Sequence, residues 1–198
     1  MSDIYQNPRL SKSRVYLASR SNNSFNVFNA LDTDMHRRKR KIISQPLTDR
    51  SLRNFEPTIL EQINIFLEQI RSSSLNGNVV NMTERCERLG IDIVGLLAFG
   101  FPLQLQTNDT YRFLPPALAA GKTSINIFMH QPILRKLKGV IKFLAKRQRE
   151  RILRMLEAMI SSRMALKEDA KPDFYSFAAG HLDPGLKSTQ SNQRPILY

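Results

Sequence analysis

Residues 82 to 99 read MTERCERLGIDIVGLLAF, and this stretch indicates the fold class of the chain. Its apolar side chains recur at spacings of three and four, which is the period of a helix with one buried face. The members of that face are Met82, Cys86, Leu89, Ile93, Leu96 and Leu97. A glycine and a proline follow Phe99, so the helix is predicted to end there.

The same spacing recurs on both sides of this stretch. Helices are predicted over 33–45, from a start near Pro57 to Ile70, over 109–129 with a kink or restart at two adjacent prolines, and over about 133–167. No alternating strand pattern of useful length occurs, so the predicted class is all-α. We expect a polar, loosely ordered segment with one short helical turn at 1–30, a helical domain at 31–186, and a disordered tail at 187–198.

The charge of the chain favours anionic partners. Thirty Lys and Arg oppose 17 Asp and Glu, giving a net charge of +13. Nucleic acid, acidic lipid and a carboxylate-bearing cofactor all fit such a charge. The first residues lack the features of a signal peptide or anchor, and the longest apolar run, 93–99, is too short to span a bilayer. With one cysteine and therefore no internal disulfide, the chain is predicted to be intracellular.

Several single residues are weak candidates for chemistry. Cys86 lies on the apolar stripe and is predicted to be a buried structural thiol, which also excludes a zinc site with several cysteines. His130 and His181 have no partner at metal-ligand spacing. The acids near Cys86 are predicted to form a solvated face screened by neighbouring arginines; they are Glu84, Glu87 and Asp92.

Two basic segments remain as candidate binding sites. Between Arg135 and Arg154 cations interleave with apolar residues, so this helix could lie on an acidic membrane, bind nucleic acid, or present a solvated face. The run from His36 to Lys41 follows a predicted helix cap. His36 and Arg40 are four residues apart and share a helix face, so both could hydrogen-bond one anion. An ordinary charged helix is the alternative.

At these residues the chain resembles the cytochrome P-450 family of haem-thiolate monooxygenases, especially fungal members of secondary metabolism. In that family helix C carries Trp-x-x-x-Arg, often with His for Trp, and both residues reach a haem propionate. His36 and Arg40 match that pattern. The segments 92–100 and 171–174 resemble the end of helix E and the segment that closes helix G, just before the oxygen-activating helix.

The resemblance implies a partial P-450 fold, helices C to G, without the N-terminal sheet, the oxygen-activating helix and the haem-cysteine loop. We therefore expect a truncated, inactive chain whose haem binding is doubtful. The intact relative would hydroxylate a lipophilic secondary metabolite with haem, dioxygen and electrons from a reductase, at the cytosolic face of the endoplasmic reticulum. Residues 133–167 would contact the membrane surface, and nucleic acid is not an expected partner. The alternative function is a basic helical protein that binds nucleic acid or an acidic membrane.

Overall fold

All regular elements in the described part of the chain are helices, which confirms the all-α class. The computed structural model describes residues 10–20, 25–131, 133–134, 138–166 and 173–179. The predicted tail, 187–198, lies outside these ranges. The elements are a 3-10 helix Arg14–Ser19, α1 Thr33–Ser44, a second 3-10 helix Gln45–Leu47, α2 Asp49–Leu75, α3 Met82–Phe99, α4 Leu114–His130, α5 Lys138–Leu144, α6 Lys146–Met164 and α7 Phe174–Ala179.

Local capping explains where α1 and α3 begin and end, and both helices are confirmed close to their predicted bounds. Asp32 caps α1 by accepting a hydrogen bond from the Met35 amide at 2.7 Å. Asn81 caps α3 in the same way. Gly100 ends α3 with φ of 60°, a left-handed conformation that glycine adopts without steric cost.

The prolines bear on where two helices begin: Pro57 differs from its prediction, whereas Pro115 and Pro116 mark one of the two predicted outcomes, a restart. The start predicted near Pro57 is wrong: α2 begins at Asp49 behind a Thr48 cap, and Pro57 lies inside the helix with an exposed side chain. One internal proline removes a single backbone hydrogen bond, and the tertiary packing of this long helix tolerates that loss. At the other site the chain restarts, because Pro115 and Pro116 occupy the first turn of α4.

The long basic helix predicted over 133–167 is interrupted. Lys138–Leu144 and Lys146–Met164 form separate helices, α5 and α6, with Ala145 between them. Residues 132, 135–137 and 167 fall outside the described ranges. No described helix is long and apolar enough to cross a membrane.

The connection between α3 and α4 supplies much of the core. Its buried side chains pack with residues of α4 and α6, and the cluster comprises Leu103, Leu105, Leu114, Met155 and Met159. Gly95 permits this crossing, because a Cβ there would lie 2.7 Å from Leu103 Cδ1 and 3.0 Å from the Phe101 carbonyl oxygen. Elsewhere α2 packs along α3, α7 contacts α1 and α3, and the first 3-10 helix packs against α4.

Candidate functional site

The two residues of the predicted anion site lie on one face of α1. The Asp32 carbonyl accepts the His36 amide at 2.9 Å, so the imidazole belongs to the capped, ordered start of the helix. Arg40 follows one turn later, and side chains four residues apart stand one above the other. The helix therefore presents an imidazole and a guanidinium in the same direction.

A third cation, Lys12, joins this face from the N-terminal segment, and sequence patterns gave no sign of it. Its Nζ donates to the Val27 carbonyl at 2.7 Å and to the Phe28 carbonyl at 3.2 Å. It also lies 5.9 Å from the centroid of the Tyr16 ring. These contacts hold the ammonium of Lys12 against the turn that leads into α1.

That turn is built to be rigid. The Asn26 amide donates to Asn29 Oδ1 at 2.8 Å, and the Asn29 amide donates to Asn26 Oδ1 at 2.9 Å. Ala30 adds a backbone hydrogen bond to the Asn26 carbonyl, and both Asn29 and Ala30 are buried. Because only Leu31 separates this turn from the Asp32 cap, the turn fixes Lys12 relative to the first turns of α1.

Lys12, His36 and Arg40, hereafter the cation cluster, repel one another. Burial, followed by the charges of Lys12 and Arg40, lowers the pKa of His36 below its ordinary value. Burial and Arg40 likewise lower the pKa of Lys12. Like charges close together disfavour protonation, so an anion bound among them would reverse part of both shifts.

Within the described ranges, no carboxylate forms a salt bridge with the cation cluster. The nearest acid along α1, Asp34, pairs with Arg37 instead. The donor set fits a group that carries carboxylates: a planar guanidinium fork, an imidazole that donates when protonated, and an ammonium with three donors. The residues present therefore fit the propionates of a haem.

Cys86 does not lie where the sequence pattern predicted. Its side chain is exposed on α3, so the expectation of a buried thiol is wrong. Met82, one turn before it on the same stripe, is also exposed. An apolar stripe is buried only where another element covers it, and no described element covers this part of α3.

Asp92 is the second correction, because it is buried and only Glu84 and Glu87 of the predicted solvated face are exposed. Its Oδ1 accepts the Leu105 amide at 2.8 Å, and its Oδ2 accepts the Gln106 amide at 3.0 Å. Both donors lie in the connection to α4. Asp92 thus uses both carboxylate oxygens to hold that connection against α3.

A buried ion pair of Arg163 and Asp173 joins the end of α6 to the start of α7. Both side chains are almost fully buried, and Arg163 Nε donates to Asp173 Oδ2. Asp173 Oδ1 also accepts the Ser176 amide at 2.9 Å, which caps α7. Since α7 contacts α1 and α3, this pair positions a helix beside the one that carries the cation cluster.

Histidines outside α1 do not assemble a metal site in the part of the chain that the structure describes. His130 is exposed at the end of α4, and His181 lies outside the described ranges. The described residues contain no group of three or more metal-ligating side chains.

Comparison with known proteins gives one consistent family. A family model described as cytochrome P-450 matches residues 3–185. The chain is 28% identical to cytochrome P-450 monooxygenase ataY of Aspergillus terreus, over 80% of this chain and 71% of that protein. It is 30% identical to cytochrome P-450 monooxygenase astJ of Aspergillus oryzae, over 84% of this chain and 34% of that protein. It is 26% identical to averantin hydroxylase of Dothistroma septosporum, over 98% of this chain and 37% of that protein.

The chain spans about a third of the length of two of these three relatives. No solved structure matches it. The described part of the chain is an all-helical segment in which the cation cluster of Lys12, His36 and Arg40 fits a carboxylate-bearing group. The residues that fit this description lie within the matched range, and the chain belongs to the cytochrome P-450 family. The family implies haem as cofactor, lipophilic substrates and a reductase as electron donor.

Proposed function

We propose that these residues form the helix C to helix G segment of a haem-thiolate monooxygenase, in which His36 and Arg40 hydrogen-bond a haem propionate. The observation that carries the proposal is the cation cluster, whose members find no carboxylate partner among the described residues. Lys12 and His36 are partly buried, and Arg40 is exposed. Like charges close together without a counter-ion raise the free energy of the ligand-free protein. Binding a carboxylate relieves that cost.

Arg40 and His36 contribute different donors to the proposed docking site. Arg40 offers a planar fork that matches a carboxylate bidentately, and His36 adds a donor on the same face. When bound through a cysteine thiolate, haem supplies the activation of dioxygen, with electrons delivered by a reductase. The protein's part at α1 is to fix the cofactor's edge and neutralise its carboxylate charge.

We further propose that these 198 residues do not catalyse oxidation by themselves. Cys86 is the single cysteine of the sequence, and it lies within a regular helix. A haem thiolate ligand needs a loop that presents the sulfur under backbone donors. Within a helix the backbone N–H groups already donate to carbonyls of the same helix, so they are not available as donors to a thiolate there.

For the substrate we propose a lipophilic small molecule that is hydroxylated. Two relatives are named monooxygenases and one is named a hydroxylase.

We also propose that residues 133–167 contact a membrane surface, on the cytosolic face of the endoplasmic reticulum. Phe143 and Leu144 are each 76% exposed at the end of α5. Cations follow one residue later, at Lys146 and Arg147. Exposed apolar side chains beside cations are the pattern of an interfacial helix on acidic lipid. The family match gives no support to the alternative of a free-standing basic binding protein.

A titration with haem tests the docking proposal. We expect Arg40→Met to weaken haem binding about tenfold or more, because a charge-assisted carboxylate contact is lost. Haem dimethyl ester, in which both propionates are neutral, should bind the wild type and Arg40→Met equally. Arg38→Met is the matched control, since Arg38 is an exposed cation two residues away on the opposite face of α1.

Each outcome of this titration decides one part of the proposal. Equal haem affinities of wild type, Arg40→Met and Arg38→Met would contradict the proposal that α1 docks a propionate. The ferrous carbonyl spectrum tests the second part, because a thiolate-type spectrum from the 198-residue chain would overturn its inactivity.

Vesicle binding tests the membrane proposal. Replacing Phe143 and Leu144 together with serine should weaken binding to phosphatidylserine vesicles about tenfold or more, because two large apolar side chains no longer enter the interface. Leu75→Ser is the control, since Leu75 is 78% exposed at the end of α2, away from the basic segment. Equal losses from both changes would contradict a specific membrane face.

A further inference from the structure

We propose that a cavity between α2, α3 and the connection to α4 binds a small organic cation, namely an N–H-bearing ammonium or guanidinium group on a short alkyl stem. The cavity has a volume of about 410 Å³, and its lining includes no residue of the cation cluster. The inference therefore goes beyond the proposed haem docking and does not depend on it.

The cavity has one mostly polar wall and one apolar wall. The polar wall is a single face of α2, because side chains three or four residues apart point in the same direction. Its members are Asn54, Thr58, Glu61, Gln62 and Ile65. The apolar wall comprises Leu96 and Leu97 of α3 with Pro102 and Leu103 of the connection. A ligand that fits both walls has a polar head and an apolar stem.

The charge of the lining is opposite to that of the whole chain. Among the described residues the lining includes three acids and no Lys, Arg or His, although the chain carries a net charge of +13. Of these acids, Asp173 pairs with Arg163. Glu61 and Asp92 have no salt-bridge partner in the described ranges. The cavity therefore favours a cation over an anion.

One buried oxygen in the lining lacks a hydrogen-bond donor. The Gln106 side chain lines the cavity and is 3% exposed. Its Nε2 donates to the Gln62 carbonyl at 3.4 Å and to Gln62 Oε1 at 3.1 Å. Its Oε1 finds no partner in the part of the chain that the structure describes. Buried acceptors in proteins are nearly always satisfied, so this oxygen calls for a donor from a ligand.

These features together select the class of cation. The carboxylate of Glu61 attracts positive charge, the Gln106 oxygen accepts an N–H, and the apolar wall receives an alkyl stem. The described residues contain no group of three or more acidic, histidine or cysteine side chains that could hold a metal ion. An alkylammonium or alkylguanidinium meets all three requirements.

A titration of the 198-residue protein with n-butylammonium, followed by backbone amide chemical shifts, tests the inference without haem. We expect saturable binding with shifts centred on Gln62, Leu97 and Thr107, which line the cavity. Glu61→Gln should weaken binding about tenfold or more, because a charge-assisted contact is lost. Glu56→Gln is the matched control, since Glu56 is an exposed acid on α2 outside the lining. It should leave the affinity unchanged.

Two further comparisons test the role of the Gln106 oxygen. Gln106→Met keeps the length of the side chain but removes the acceptor, so affinity should fall about threefold to tenfold. n-Butyltrimethylammonium has the same stem and charge but no N–H, and it should bind the wild type about tenfold more weakly than n-butylammonium. Glu61 is exposed, so Glu61→Gln keeps the test valid even if Gln106→Met does not fold.

The remaining outcomes overturn the inference. If n-butylammonium does not bind, or binds wild type and Glu61→Gln equally, the cavity is not a cation site. Equal affinities of the two ammonium probes would show attraction to surface charge alone. If folded Gln106→Met binds n-butylammonium as tightly as the wild type, an ordered water satisfies the Gln106 oxygen and no ligand contacts it.

Discussion

Charged side chains in this molecule occur in two opposite environments. In the cation cluster no acid among the described residues forms a salt bridge, and burial, followed by the charges of Lys12 and Arg40, lowers the pKa of His36. In the buried ion pair, Arg163 and Asp173 satisfy each other and also cap a helix. We propose that an anionic ligand completes the first arrangement, whereas the second holds its opposite charge within the protein. Removing charge should therefore have opposite effects on the ligand-free protein in the two places.

The largest expected effect is at the buried ion pair. Asp173→Asn removes the carboxylate that Arg163 Nε contacts while both side chains stay buried, so the free energy of unfolding should fall by about 3 to 5 kcal/mol. Urea denaturation of the ligand-free protein measures it. The control is Asp34→Asn, which removes an exposed pair with Arg37 and should cost less than about 1 kcal/mol. Equal losses would show that burial does not distinguish the two pairs.

Asp92 is a buried acid whose partners are neutral backbone amides. Its replacement shows whether such an acid contributes as much to the free energy of unfolding as the buried ion pair does. Asp92→Asn keeps the size of the side chain but turns one oxygen into an N–H group that faces a backbone N–H. The Leu105 or Gln106 amide then loses its acceptor. We expect a loss of about 1 to 3 kcal/mol in the free energy of unfolding.

Glu87→Gln is the control for Asp92, because Glu87 is an exposed acid on the same helix. Its replacement should change the free energy of unfolding by less than about 0.5 kcal/mol. Hydrogen exchange at residues 105 and 106 would locate the effect, since both amides should exchange faster in Asp92→Asn alone. Unchanged exchange there would contradict the role given to Asp92.

The two environments also differ in how much of them a single sequence can predict. Helix α1 and the His36–Arg40 pair depend on a cap and a spacing within a few residues, and both could be predicted. Lys12 could not, because its acceptors lie 15 and 16 residues away in a turn without a helical or strand period. The same reason hid the role of Asp92, whose donors are 13 and 14 residues away.

Burial is the property that periodicity predicts least well. The apolar stripe of α3 is a local pattern, but whether a given position is covered depends on which helices pack there. Gly95, toward the C-terminal end of α3, is covered by the connection to α4, while Cys86, two turns earlier, is exposed. The family resemblance, carried by the order of several degenerate motifs, was the part of the sequence that pointed to function.

The pH dependence of the ligand-free protein is a smaller effect and has a defined sign. Burial, Lys12 and Arg40 lower the pKa of His36 below 6.5 in the folded state. Near that pH the unfolded chain binds more protons, so this contribution to stability is present above pH 6.5 and is lost as the pH falls through the folded-state pKa. The difference in unfolding free energy between wild type and His36→Gln should therefore shrink in acid.

Haem binding should show the reverse trend with pH. A bound propionate favours the protonated imidazole, so affinity should rise as the pH falls through the His36 pKa, until the propionates themselves become protonated. The rise should be absent in His36→Gln and with haem dimethyl ester. A rise that persists in His36→Gln would assign the titration to another group.

Cys86→Ser should have the smallest effect. It serves as a baseline for the changes at the cation cluster and at the buried ion pair. The side chain is exposed, so losing the thiol creates no cavity, and the free energy of unfolding should change by less than about 0.5 kcal/mol. Haem affinity should also stay the same, because the contacts proposed for docking are those of His36 and Arg40. If Cys86→Ser instead abolished haem binding, the sulfur would be an iron ligand. The proposed inactivity of the 198 residues would then have to be abandoned, together with the assignment of docking to charge alone.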